Sequence, residues 1–224
     1  MPRPPRGGLG RHRRGEVLPE GGEVHADVEL ERVLPVVRAT AERHPHLVIS
    51  VDTFRADVAQ ACLDAGAHVV NDTTGLHDPT LADLVAQRAH TQLIVTHSRA
   101  RPRTHFPRPQ YADVAGEIAE FLRSRVAVAL ERGVRPDQIV IDPGHDLNKN
   151  TFHTLELTRR LPEIAAVGYP MLAAVSNKDF VGETLDRPQG SGCPAASPPR
   201  WPRSCSGPGS CACTTCASPW TRYA

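Results

Sequence analysis

The sequence predicts an α/β chain of the (β/α)8 (TIM) barrel class, and three observations predict it. Apolar runs alternate with helix-like stretches along most of the chain. Three of those runs end abruptly in a polar residue, LVISVDT at Asp52, HVVNDTTG at Asn71 and IVIDPG at Asp142, and a fourth, MLAAVSNKDF, ends in Ser176 and Lys178. No run is followed by the G-x-G-x-x-G fingerprint of a doubly wound dinucleotide fold. Barrel sites are built on the C-terminal ends of the strands, so chemistry-bearing residues at nearly every strand end favour a barrel over an open sheet.

The elements follow in order. Val28 to about Arg43 reads as a helix, with Val33, Val36 and Val37 apolar and Glu29, Glu31 and Arg32 charged. LVISVDT is a strand. Ala56–Ala65 is a helix with Val58, Cys62 and Ala65 near one face, stopped by Gly66. HVVNDTTG is the next strand, and Pro79 to about Ala89 a short helix with Leu81, Leu84 and Val85 inward. QLIVTHS is a strand leading into a loop from about Arg99 to Gln110. The clearest helix runs from about Ala112 to Arg132, where Ile118, Leu122, Val126 and Leu130 recur every four residues before Gly133. IVIDPG is a strand, about Thr154 to Val167 a helix, and MLAAVS the last clean strand. Strands of continuous Val, Ile and Leu suit a sheet covered on both faces. These five units are the third to seventh strands of an incomplete barrel, whose first, second and eighth strands are absent or out of frame.

Composition bounds the rest. A chain of 224 residues suits one domain, and a formal net charge of +1 provides no field for nucleic acid. No stretch is long and apolar enough to span a bilayer and no secretory signal opens the chain, so a cytoplasmic protein with no membrane partner is expected. Three unlike segments are expected: 1–20, rich in Pro, Gly and Arg; 21–188, ordinary globular sequence; and 189–224, with both Trp residues and five of the six cysteines. Cys211, Cys213 and Cys216 form a C-x-C-x-x-C cluster, but without a second ligand pair it is a weak metal signal. Cys62 reads as a small buried hydrophobe.

A shifted reading frame explains both ends better. Pro208–Cys216 can be encoded so that the frame starting at the third base reads RVVRVHDV, a strand pattern ending in Arg and His. Gly10–Glu16 can likewise be encoded so that a shifted frame reads VDIGGVK. The nucleotide sequence over both ends decides this: no single-base change restoring VDIGG and RVHDV means no frameshift.

Each strand-end residue has an ordinary reading. Asp52 can be a helix cap shared with Thr53, Asn71 and Asp72 turn formers before Gly75, and Asp142 turn chemistry before Pro143 and Gly144. Ser176 can be a helix cap and Lys178 a solvated lysine. Together, however, SVDTFRADVAQACLDAGAHVVNDTTG, YADVAGEI, IVIDPGHDLNKNTFHTLELTRRL and SNKDF resemble the dihydropteroate synthase family of pterin-binding barrels, over about residues 24–188. VDIGG and RVHDV resemble that family's second and eighth strands.

The resemblance implies a site. Asp142 would accept the adjacent N–H donors of the pterin amino-pyrimidinone edge, Asn71 would complete recognition, and Asp52 would lie nearby. Lys178, the one residue given a catalytic role, would also bind substrate on the ring's acceptor face and stabilise developing negative charge, and Ser176 would contact substrate. The implied reaction condenses a 6-hydroxymethyl-dihydropterin pyrophosphate with p-aminobenzoate, with Mg²⁺ as cofactor but no metal ligand assigned in this chain. A complete barrel would be expected as a homodimer.

The chain departs from the family pattern in several places. Asn177 stands where the family commonly has arginine, H-D-L-N-K-N replaces a Gly-rich string after D-P-G while Lys149 still matches, and the upstream asparagine loop is missing. His145 and Asp146 are thereby expected at the pocket edge beside Asp142. The departures resemble a divergent, second-copy actinobacterial branch of the family. The alternative reading is therefore a catalytically impaired pterin- or folate-binding paralogue; a folate-dependent methyltransferase on the same barrel is disfavoured by the D-P-G and lysine strand pair. His97 matches a family histidine. Arg99, Arg101, Arg103 and Arg108 read as a solvated loop in preference to a phosphate site.

Overall fold

The computed structural model of the chain describes residues 24–100, 109–176 and 178–186. The two segments read as out of frame, 1–20 and 189–224, lie outside them, as do Arg101, Arg103 and Arg108. The order is α1 (Ala26–Arg43), β1 (Ser50–Asp52), α2 (Ala56–Asp64), β2 (Val69–Asp72), α3 (Thr80–Ala86), β3 (Gln92–Thr96), α4 (Val114–Glu131), β4 (Ile139–Asp142), α5 (Thr151–Arg159), α6 (Leu161–Ala165) and α7 (Asp179–Thr184). A 3₁₀ turn at Pro136–Gln138 leads into β4.

All strand pairs are parallel, and the sheet order is β1-β2-β3-β4. A doubly wound sheet reverses its strand order at a switch point. Here each strand lies beside its predecessor, as in a barrel wall. Continuation past β4 is weaker than the sequence predicts. MLAAVS forms one bridge, Ile141 to Met171, held by Ile141 N–H to Pro170 O at 2.9 Å and Leu172 N–H to Ile141 O at 2.8 Å. Pro170 has no N–H to offer a ladder. The fifth expected strand is thus in place, but as a contact.

Strand parity divides the residues between two faces. Val70, Leu93, Val95, Ile139 and Ile141 pack with Leu81, Val85, Ile118, Leu122 and Val126 of the helices in the main core. The opposite face carries the small cluster Val69, Ile94 and Leu172, with Val140 against it. Leu122 on α4 is fully buried in the main core. Leu122→Ala should lower stability by about 3 kcal/mol, the transfer loss plus an unfilled cavity, read by chemical denaturation.

Local physics explains where the helices differ from expectation. On α1 only Val37 is buried, at 4 % exposure, while Val36 is 63 % exposed. Leu30, Val33 and Val37 share the face that meets α2, and Val36 is turned about 100° from it. The expected helix 154–167 starts earlier, at Thr151, and breaks at Arg160 (φ −104°, ψ 19°). Pro162 cannot donate to the carbonyl four residues back, and its ring crowds that turn. Asn150 caps the start, accepting from His153 N–H at 2.8 Å. Asp113 caps α4 through Gly116 N–H at 3.2 Å.

Candidate functional site

The C-terminal ends of the strands bring the expected residues to one rim. Asp52 and Asn71 are register partners across β1 and β2, and Thr96 and Asp142 are partners across β3 and β4. By parity, Asn71, Thr96 and Asp142 lie on the same face as Val69, Ile94 and Val140, one step nearer the rim. Asn71 Nδ2 donates to Asp52 Oδ1 at 2.9 Å, and Thr96 Oγ1 donates to Asn71 Oδ1 at 3.4 Å. The three strands are thereby stitched into a polar ledge above an apolar floor. Thr96 was not singled out from the sequence, yet it lies two residues beyond Ile94 and could have been found by parity.

Asp142 extends this ledge onto β4. It is 4 % exposed, and its Oδ1 accepts from Gly144 N–H at 2.7 Å. Burial pushes its pKa up to about 6; the Gly144 hydrogen bond and the charges of Lys178 and Lys149 pull it down, and Asp52 pushes it up. Lys178 and Asp52 are therefore within electrostatic reach of Asp142. Lys178 is half-buried at the residue preceding α7, and Ser176 is half-buried in the turn before it. A half-buried carboxamide, an exposed carboxylate, a buried carboxylate near neutrality and an ammonium form a hydrogen-bonding set suited to a flat polar ring.

Other candidates lie behind the sheet. Asp72 is fully buried and organises its loop, accepting from Thr74 N–H at 2.8 Å, Thr74 Oγ1 at 2.6 Å and Leu76 N–H at 2.6 Å. His97 has the parity of Leu93 and Val95, so it points to the helix side, its ring 4.8 Å from that of Phe121. Its N–H binds Asp142 O at 2.8 Å, which locks β3 to β4 beneath the site. Burial and the Lys149 and Arg99 charges lower its pKa to about 2, so it stays neutral. Lys149 is 7 % exposed; Nζ lies 2.9 Å from His97 Nδ1, 2.8 Å from Gly144 O and 3.0 Å from Leu147 O. It clasps its own loop from inside, and burial brings its pKa down to about 7.

The H-D-L-N-K-N loop corrects one expectation. His145 is not at the pocket edge: its ring is buried, stacks on Phe180 at 6.0 Å, and meets no hydrogen-bond partner among the described residues. Burial lowers its pKa to about 4. Gly144, Asp146 and Asn148 have φ of 67°, 64° and 52°. Asn and Asp tolerate this left-handed region better than other non-glycine residues, and each is used. Asn148 Oδ1 accepts from Ser98 Oγ at 3.1 Å, Arg99 N–H at 2.8 Å and Ala100 N–H at 3.1 Å, tying the β3–α4 loop to the β4–α5 loop. Arg99 is not the solvated loop residue expected: it is half-buried, its guanidinium lies 3.7 Å from the Tyr111 ring centroid, and it pairs with Glu117. Among the described residues no group of three or more His, Cys, Asp or Glu side chains could hold a metal ion, and no helix is long and apolar enough to cross a membrane.

Comparison with known proteins agrees with this geometry. The model of a family described as pterin binding enzyme matches residues 15–197. The inactive dihydropteroate synthase 2 of Mycobacterium tuberculosis is 39 % identical over 169 residues, which are 74 % of this chain and 53 % of that protein. This chain thus spans about half the length of the curated relatives it matches. Among solved structures, the dihydropteroate synthase of Stenotrophomonas maltophilia with active site-bound imidazole matches with a TM-score of 0.70 and 34 % identity, over 73 % of this chain and 61 % of that one. The Thermus thermophilus dihydropteroate synthase in complex with 6HMPPP matches with a TM-score of 0.67 and 36 % identity, over 74 % and 64 %. The five strand positions are accordingly part of a (β/α)8 barrel.

Proposed function

Because the chain belongs to the pterin-binding enzyme family, we propose that the ledge at its strand ends is the pterin-recognising part of a dihydropteroate synthase-type transferase site. The observation that carries this reading is Asp142, a buried carboxylate at the barrel rim with a neighbouring carboxamide and lysine. A carboxylate has about four acceptor sites. With Gly144 N–H on Oδ1, capacity remains for the two adjacent donors of an amino-pyrimidinone edge, and charge-assisted pairs of this kind are stronger than neutral ones. Asn71, held by Asp52 and Thr96, presents its carboxamide to the same ring. Lys178 orients the ring from its acceptor face, and Ser176 contacts the substrate beside it.

The reaction this site would serve joins the methylene of a 6-hydroxymethyl-dihydropterin pyrophosphate to the amine of p-aminobenzoate. The methylene C–O bond breaks, its electron pair leaves with pyrophosphate, the aniline nitrogen forms the C–N bond, and its proton is released. Asp142 and Lys178 act on the pterin half by orienting it and holding charge; the apolar floor excludes water from beneath it. In this reaction Mg²⁺ would help neutralise the departing pyrophosphate, and among the described residues no group of three or more His, Cys, Asp or Glu side chains would hold it.

A second reading is favoured by a specific observation. The M. tuberculosis relative is called inactive, and it is similar over most of this chain. On this reading the chain is a paralogue that binds a pterin or folate without turning it over. The domain 21–188 carries the site in either case. Calorimetric titration of the full chain with the pterin pyrophosphate, followed by p-aminobenzoate and assay of pyrophosphate release, separates the two. Pterin binding with release supports the transferase, and pterin binding alone supports the paralogue. No pterin binding removes both.

A further inference from the structure

Helix α7 carries Lys178 at its N-cap, and an ammonium side chain cannot accept from the helix's first N–H groups. The acceptor comes from another part of the chain. Asp146, on the loop after β4, takes Phe180 N–H on Oδ2 at 3.2 Å and Thr154 Oγ1 on Oδ1 at 3.1 Å. One carboxylate therefore joins the first turn of α7 to α5. Two further contacts make the same junction. The Phe180 ring stacks on His145 at an interplanar angle of 25°, and Thr151 Oγ1 of α5 bonds the Glu183 carboxylate of α7.

Asp146 holds this position at φ 64°, a backbone that glycine adopts more readily. Its carboxylate also lies within the field of Lys178, as that of Asp142 does. The loop that follows Asp142 thus also sets the helix that follows Lys178. We propose that Asp146 is a positioning residue for Lys178: it caps α7 from the β4–α5 loop and holds the ammonium in register with Asp142. Asp146 touches no substrate, and its effect on pterin passes through Lys178. The proposal rests on the pterin-pocket reading for its functional consequence but not for its structural one.

Two substitutions in the full chain test it. Asp146→Gly removes the carboxylate while relieving the backbone, so the variant folds. Asp146→Asn keeps an oxygen able to accept from Phe180 N–H and tolerates the left-handed conformation. Without ligand, Asp146→Gly should speed amide exchange at Phe180 by about tenfold and move the ¹³Cε resonance of Lys178, and Asp146→Asn should restore both. With the pterin pyrophosphate, Asp146→Gly should weaken binding about five- to tenfold, and by nothing further in a Lys178→Ala background. Equal loss in both backgrounds, or no loss where the wild type binds, overturns the proposal. If the wild type binds no pterin, the pocket reading falls, and the Lys178 resonance alone decides: unmoved by Asp146→Gly, it overturns the positioning role.

Discussion

An Asp142→Asn variant is expected to bind the pterin pyrophosphate about a hundredfold more weakly and yet to unfold at a higher temperature at neutral pH. The binding loss follows from replacing a charged double acceptor by a carboxamide with one acceptor oxygen, which leaves a donor of the ring edge unpaired. The stability gain follows from linkage. The folded pKa of Asp142 is raised to about 6, chiefly by burial. Its stabilising contribution is then fully present below the unfolded value of about 3.9 and is lost as pH rises through about 6. At pH 7 the ionised carboxylate costs the fold on the order of 3 kcal/mol.

Other groups act in the same window. His145 and His97, lowered to about 4 and about 2, oppose Asp142, because the unfolded chain binds their protons first. The difference between wild type and variant removes these shared terms. That difference in unfolding free energy should be near zero below pH 4, grow through about 6 and level off above it. Pterin affinity of the wild type runs the opposite way, falling as pH drops through about 6. A flat stability difference across this range would mean that Asp142 is not held out of water as described.

Gly144→Ala is expected to cost at least about 3 kcal/mol and to abolish binding with it. A Cβ at this position would collide with the His97 carbonyl oxygen and lie 3.3 Å from its carbon, and the backbone is at φ 67°. Neither side can yield, since His97 N–H is bonded to Asp142 O and Gly144 O receives Lys149 Nζ. Gly168→Ala is the control. Its φ is 98°, but nothing lies within 4 Å of the added carbon, so only the backbone penalty of about 1–2 kcal/mol remains. Equal destabilisation by the two substitutions, measured by urea unfolding, would remove the steric explanation.

Much of the barrel wall was legible because a parallel strand buried on both faces announces itself by continuous apolar residues and a polar tip. Asp52, Asn71 and Asp142 are such tips, and the structure places them on one rim. Parity was the unused signal: it brings Thr96 into the site and sends His97 and Asp72 out of it. The fifth strand is in place through the Ile141–Met171 bridge, and its short pairing was readable from Pro170, which has no N–H for the ladder. Asp146 was read only as a residue beside Asp142, and its bonds to Phe180 and Thr154 were not foreseen. Its role depends on a residue 34 positions away, Phe180, and a cross-chain cap leaves no local pattern in sequence.

The strand order β1-β2-β3-β4 makes position along the chain and position around the rim a single coordinate. Ligand functions placed on such a rim are inherited by sector. The groups assigned here to the pterin ring come from a contiguous arc, Asp52 to Lys178, and each unit is supported mainly by its immediate neighbours. Changes confined to other sectors leave the register of this arc unaltered. The groups that would meet one reaction partner are thus separable, by position along the chain, from those that would meet the other.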